Sequence, residues 1–167
     1  MRPFLPALAA LAFTAQLHAQ ECGSGRYILP NYFTQIDSIP AVVFGSNTGV
    51  DGTAQTLRMD IYAPANDPLQ QRPVVVLAFG GSFVQGSRAD MAGLAGSLAR
   101  LGYVAVAIDY RVGFFFPNTS TTMHAVQRCV HDLRGSIRFL RKTAAVDGNP
   151  YHIDPDRIMV AGVSAGA

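Results

Sequence analysis

The chain has 167 residues, enough for one domain, and 49% of them are hydrophobic against 14% charged. That balance can bury a core and excludes a compositionally disordered chain. The formal net charge is only +2 and the basic residues are scattered, which excludes the concentrated basic face of a nucleic-acid binder.

In chain order, Arg2 precedes the charge-free, mostly apolar run Phe4 to Leu17, and Leu17-His18-Ala19 follows with a small last residue. Residues 1–19 therefore read as a secretory signal peptide, and the mature protein is expected to be secreted or periplasmic. The run falls short of the roughly 20 apolar residues of a membrane span, so no stable membrane anchor is expected after cleavage. Two cysteines remain, Cys22 and Cys129. An oxidising compartment permits a disulfide between them, and a buried free thiol at Cys129 is the alternative.

Residues 20–56 read as an N-terminal extension with a first strand at Ala41 to Phe44, followed by the turn Gly49-Val50-Asp51-Gly52. In Leu57 to Tyr62, Leu57, Met59 and Ile61 alternate with Arg58, Asp60 and Tyr62, the pattern of a half-exposed strand. After the proline-bounded loop Pro64 to Pro73, Val74 to Phe79 is continuously apolar, which suits a strand buried on both faces. Gly80-Gly81 ends it. Ala89 to Leu101 is expected to be a helix with Met91, Leu94, Ala95, Leu98 and Leu101 inward and Gly102 beyond its end.

Tyr103 to Ile108 reads as a second buried strand, and Gly113 to Thr122 as a loop. A long helix is predicted from Met123 to Ala144, with Val126, Val130, Leu133, Ile137 and Leu140 on its apolar face. Arg128, Arg134, Arg138, Arg141 and Lys142 read as its solvated face. Asp154-Pro155-Asp156-Arg157 reads as a turn before a short third buried strand, Ile158 to Ala161. Strand, helix, strand, helix, strand implies an α/β fold, a mostly parallel sheet with flanking helices.

That third strand runs into Gly162-Val163-Ser164-Ala165-Gly166, a G-x-S-x-G sequence. A serine hydroxyl is a poor nucleophile until a base reaches it and the oxyanion it creates is stabilised. A sharp turn at the C-terminal end of an interior strand presents the side chain where ligands gather in open α/β sheets. Gly162 and Gly166 are expected to relieve crowding in that turn, and a helix beginning after Ser164 would aim its amides at the reacting group. Gly80-Gly81-Ser82 closes an earlier strand of the same predicted sheet. The backbone amides of Gly81 and Ser82, with that of Ala165, are candidates to hold the oxyanion.

With Leu57-Arg58-Met59-Asp60-Ile61-Tyr62-Ala63-Pro64, Phe79-Gly80-Gly81-Ser82-Phe83, Asp109-Tyr110-Arg111 and Ile153-Asp154-Pro155-Asp156-Arg157-Ile158, these motifs resemble the α/β-hydrolase superfamily. The nearest likeness is to hormone-sensitive-lipase-like enzymes and bifunctional feruloyl and acetyl xylan esterases. The resemblance implies a carboxylic-ester hydrolase working through an acyl-enzyme on Ser164, on small-molecule or polysaccharide-linked esters, with no cofactor and no metal. It implies that residues 57–167 are the N-terminal half of the hydrolase domain. The triad acid and histidine follow the nucleophile in such enzymes, so they are expected downstream and the segment alone is expected to be inactive. Phe79 stands where these enzymes usually carry a histidine that organises the glycine loop.

His124, His131 and His152 precede the nucleophile and read as surface or capping residues. Asp109 is expected to pair with Arg111 or backbone, and Asp132 to be structural. Phe114, Phe115 and Phe116 read as packing under a loop, with an apolar acyl pocket as the alternative. Two other functions are a serine peptidase of the prolyl-oligopeptidase type and a non-catalytic binding protein on a hydrolase scaffold. Oligomeric state has no signal in the sequence.

Overall fold

The computed structural model describes residues 23–113 and 118–167. The predicted signal peptide, Cys22 with its pairing to Cys129, and Phe114 to Phe116 lie outside these residues. Cys129 is buried and has no disulfide partner among the described residues.

Five strands form one sheet: β1 (Ile36–Thr48), β2 (Ala54–Pro64), β3 (Arg72–Ala78), β4 (Val104–Ile108) and β5 (Ile153–Gly162), in the order β1-β2-β4-β3-β5. β3 is parallel to both β4 and β5, while β2 is antiparallel to β1 and β4. The continuous apolar runs explain this layout. Every residue of β3 and of β4 is buried, so both strands need cover on two faces and occupy the interior. β2 alternates as its sequence predicts: Leu57, Met59 and Ile61 are buried and Arg58 is exposed. β1 is longer than its apolar centre suggests because pairing with β2 carries it from Ile36 to Thr48 through two irregularities.

Two apolar clusters lie on opposite faces. One gathers Val75, Leu77, Ala105, Ala107, Met91 and Ala95, and the other Val74, Val76, Val104, Val106, Ile108 and Leu140. Helix α1 (Ala92–Leu101) follows a 3-10 turn over Arg88–Met91 and buries Ala95, Gly96 and Ala99. Small residues at these positions bring its backbone close to the sheet. Leu94, predicted inward, is 43% exposed. Gly102 ends the helix at φ +112, and its amide donates to the Ala99 carbonyl, as its position predicts. The segment before β1 covers this end: Tyr27 N–H donates to the Leu101 carbonyl, and Arg26 reaches the Gly102 carbonyl (3.0 Å) and Asp67 (2.9 Å).

Helix α2 (Thr119–Val146) begins at Asn118, whose side chain accepts from the Thr121 amide. Its buried stripe differs from the predicted one. Ala125, Cys129, Asp132, Ser136, Leu140 and Thr143 face inward, Leu133 and Ile137 flank them, and Val126 and Val130 are 37% and 41% exposed. Arg111 causes the rotation: it follows β4, is itself buried, and takes Asp132 into the interior as an ion pair. Of its two expected partners Asp109 takes backbone, accepting from the Arg88 amide (3.1 Å), and its ion pair is with the Arg88 guanidinium (2.6 Å) and not with Arg111. The predicted turn Asp154 to Arg157 is a bulge within β5, since pairing jumps from Arg72↔Ile153 to Val74↔Ile158. Arg157 closes the bulge onto Asp154 (2.6 Å).

Candidate active site

β3 and β5 are parallel neighbours, and their last paired residues are Ala78 and Gly162. Their following loops therefore emerge side by side at the C-terminal edge of the sheet, where open α/β sheets bind ligands. The Val163 amide extends the pairing by one bond to the Ala78 carbonyl (3.1 Å).

The backbone then reverses within one residue. Val163 is extended (φ −120, ψ 129), whereas Ser164 has φ +52, a left-handed conformation that costs a non-glycine residue on the order of 1–3 kcal/mol. The Ser164 side chain is consequently exposed at the end of the strand. Ser164–Gly166 form a 3-10 turn, with the Gly166 amide donating to the Val163 carbonyl (2.9 Å) and the Ala167 amide to the Ser164 carbonyl (3.0 Å). This turn occupies the start of the predicted helix.

The two flanking glycines are required sterically. A β-carbon on Gly162 would overlap the Gly166 carbonyl, and one on Gly166 would overlap the Ala78 and Phe79 carbonyls. The turn thus folds back on its own strand and lies directly against the end of β3.

The diglycine loop meets it there. A β-carbon on Gly80 would lie 2.9 Å from the Val163 carbonyl oxygen and 3.2 Å from the Ser164 β-carbon. Gly81 has φ +127, and its carbonyl accepts from the Val84 (3.0 Å) and Gln85 (3.2 Å) amides, which closes a tight turn. Ser82 and Phe83 continue it at φ +54 and +62. Among the described residues, the amides of Gly81, Ser82 and Ala165 donate no backbone hydrogen bond. The structure therefore places Gly80 against Ser164, with Gly81 and Ser82 following it in the loop, and Gly162, Ala165 and Gly166 in the serine turn itself.

Sequence reasoning missed two supporting side chains. Phe79 is buried and stacks on Tyr110, with ring centroids 4.2 Å apart and planes at 15°. The Tyr110 hydroxyl donates to the Phe79 carbonyl at 2.9 Å. Burial pushes the Tyr110 phenol up to about 12, so it is a donor at neutral pH. A tyrosine directly after a buried strand was the available signal, because a buried phenol needs a hydrogen-bond partner. Arg88, at the far end of the same loop, bridges Asp60 (2.7 Å) and Asp109 (2.6 Å), and its backbone amide also donates to Asp109. Hydrogen bonding to Asp60 is the largest influence holding this guanidinium charged.

His124, His131 and His152 are exposed on α2 and before β5. Two cavities lie elsewhere: one of about 450 Å³ between β1 and α2, lined by Phe44, His131, Arg138 and Lys142, and one of about 420 Å³ beside Val50, Gln55 and Gly113.

The sheet, its flanking helices and a strained serine turn at the end of β5, beside the buried strand β3, define the α/β-hydrolase fold. The BD-FAE family model matches residues 59–167, and the chain belongs to that family. It is 34% identical over 110 residues to a protein of Oryza sativa named "Probable isoprenylcysteine alpha-carbonyl methylesterase ICME", covering 66% of this chain and 23% of that one. Esterase LipC of Mycobacterium tuberculosis is 33% identical over 117 residues, covering 70% and 26%. Among solved structures, a thermophilic esterase of Thermogutta terrifontis, Est2, superposes with a TM-score of 0.56 at 32% identity, over 79% of this chain and 40% of that one. The chain thus spans about a quarter of the length of these curated relatives and under half of the solved structure.

Proposed function

We propose that the protein is a secreted serine esterase in which Ser164 attacks the acyl carbon of a carboxylic ester. The observation that supports this reading is the contact between the Gly80 corner and the strained, exposed Ser164, with the Gly81 and Ser82 amides next along the loop and free of backbone partners among the described residues. The Ser164 oxygen forms the new bond to the carbonyl carbon, and the amides of Gly81, Ser82 and Ala165 stabilise the tetrahedral oxyanion. Collapse expels the alcohol and leaves an acyl-serine, which water hydrolyses. The histidine that takes and returns the proton, and the acid that orients it, follow the nucleophile in this fold class. No described residue is assigned either role.

The relatives support the ester class, since they are named as esterases and methylesterases. The structural neighbour has been captured with propionate and with butyrate bound, and phosphorylated by paraoxon. These adducts and ligands support short acyl groups as substrates and an organophosphate as a probe. Secretion rests on the character of residues 1–19, and ester groups on extracellular polysaccharide fit that location.

A fluorophosphonate tests the assignment. The full-length protein should be labelled stoichiometrically and lose turnover of a short-chain p-nitrophenyl ester in parallel, and Ser164→Ala should abolish both. Labelling that persists in Ser164→Ala would remove the serine from its role.

A further inference from the structure

We propose that Tyr110 is a positioning residue for ester hydrolysis, holding the Phe79 carbonyl so that the Gly81 and Ser82 amides face the oxyanion; this rests on the assignment of Ser164 as nucleophile. Phe79 is the first residue past the paired end of β3, because the ladder to both neighbours stops at Ala78. Its carbonyl has therefore left the sheet, and its donor is the Tyr110 hydroxyl at 2.9 Å in a buried position. That carbonyl oxygen lies in the peptide plane joining Phe79 to Gly80. Holding it sets the rotation at which the chain enters Gly80, and hence the direction of the amides that follow.

The surroundings leave the carbonyl little freedom. Tyr110 is 1% exposed, its ring is stacked on Phe79, and Phe83 from the far side of the loop meets it edge-on at 6.3 Å. Gly86 closes the loop over the Phe79 ring, where a β-carbon would sit 2.5 Å from Cδ2. Gly166 of the serine turn packs on the other side of the same carbonyl, where a β-carbon would lie 2.5 Å from the oxygen. One carbonyl thus touches both halves of the site, and a single hydroxyl fixes its direction. Hydrogen-bond donors aid catalysis only when they are aimed at the developing oxyanion beforehand. Loss of the hydroxyl frees the peptide plane to rotate and blurs that aim, with little change in how substrate binds in its ground state.

Tyr110→Phe keeps the ring, the stacking and the volume and removes only the donor. In the full-length protein, active sites are counted by fluorophosphonate at completion and turnover is expressed per labelled site, which separates site quality from folding yield. The expected result is a kcat per labelled site lowered roughly tenfold, with KM within about twofold and slower labelling to the same final stoichiometry. Tyr103→Phe, which alters a tyrosine at the opposite end of β4 whose ring packs at a tilt on Tyr27 (centroids 4.7 Å apart), should leave kcat per site unchanged. Unchanged kcat per site in Tyr110→Phe, whatever its melting temperature, overturns the proposal, as does an equal fall in Tyr103→Phe. Failure of the Ser164 assignment would appear separately, as labelling and turnover surviving in Ser164→Ala.

Discussion

Arg111 and Asp132 form a buried bidentate ion pair, with guanidinium Nε 2.8 Å from one carboxylate oxygen and Nη2 2.8 Å from the other. The Arg111 amide adds a third anchor to the carboxylate (2.9 Å), and Nη1 reaches the Thr48 carbonyl (2.9 Å). The end of β4, the middle of α2 and the end of β1 are therefore joined at one point. Removing one partner of such a pair leaves an uncompensated buried charge. Asp132→Ala should lower unfolding stability by about 3–5 kcal/mol in urea titration. A loss below about 1 kcal/mol would mean that Arg111 finds water or another acceptor.

The serine turn makes a sharper steric prediction. Gly166→Ala places a methyl group into the Ala78 and Phe79 carbonyls. It should cost about 1–3 kcal/mol by overpacking and slow fluorophosphonate labelling as Ser164 shifts. Gly135→Ala is the matching control. Its β-carbon would find only ordinary contacts, the nearest at 3.8 Å to Phe44, in the middle of α2. That change should stabilise the protein by up to about 1 kcal/mol and leave labelling untouched.

Arg88 fastens the far end of the glycine loop to β2 and β4 through Asp60 and Asp109. Its side chain is 25% exposed, so water can partly replace it. Arg88→Met should destabilise by about 1–3 kcal/mol. A double-mutant cycle with Asp109→Asn should return a coupling energy above about 0.5 kcal/mol. Strict additivity of the two changes would show that the pair does not act as a unit.

Alkaline pH should weaken the fold in two stages. Burial lifts the Cys129 thiol from 9.0 to about 11 and the Tyr110 phenol from 10.0 to about 12. The folded state therefore holds both protons more tightly than the unfolded chain does. This stabilisation is complete below pH 9.0 and is lost as pH rises through about 11 and then about 12. Urea midpoints measured from pH 7 upward should start to fall near pH 9.0, and Cys129→Ala should delay the onset to near pH 10.0. Identical profiles for the two proteins would exclude the thiol from the effect.

Local pattern carried β3, β4 and the serine turn, but not the burial of Ile158 to Ala161: β5 lies at the sheet edge with Met159 and Val160 exposed. Val74 to Ala78 and Val104 to Ile108 are apolar at every position and are buried at every position. The glycines around Ser164 stand where a β-carbon cannot. The face of α2 was not legible from period alone, because Val126 and Val130 match a helical stripe as well as Ala125 and Cys129 do. The choice between them depends on whether Asp132 can enter the interior, which depends on Arg111, remote in sequence and brought close only by the fold. Tyr110 shows no role within Asp-Tyr-Arg for the same reason: its acceptor is a carbonyl just past the end of another strand. The Asp154 to Arg157 bulge resembles a free turn until the Arg72↔Ile153 pairing is known.

The carbonyls that press on Gly166 are those of Ala78, which ends β3, and of Phe79 just beyond it, while the serine follows β5, and a helix, a strand and a second helix intervene along the chain. The packing around the Ser164 turn is therefore non-local: it cannot form until the two ends of that long excursion have closed on each other, a step whose entropy must be met before its contacts form. During synthesis, the pentapeptide around Ser164 leaves the ribosome as ordinary flexible chain and acquires its left-handed serine only when it docks on a strand made much earlier.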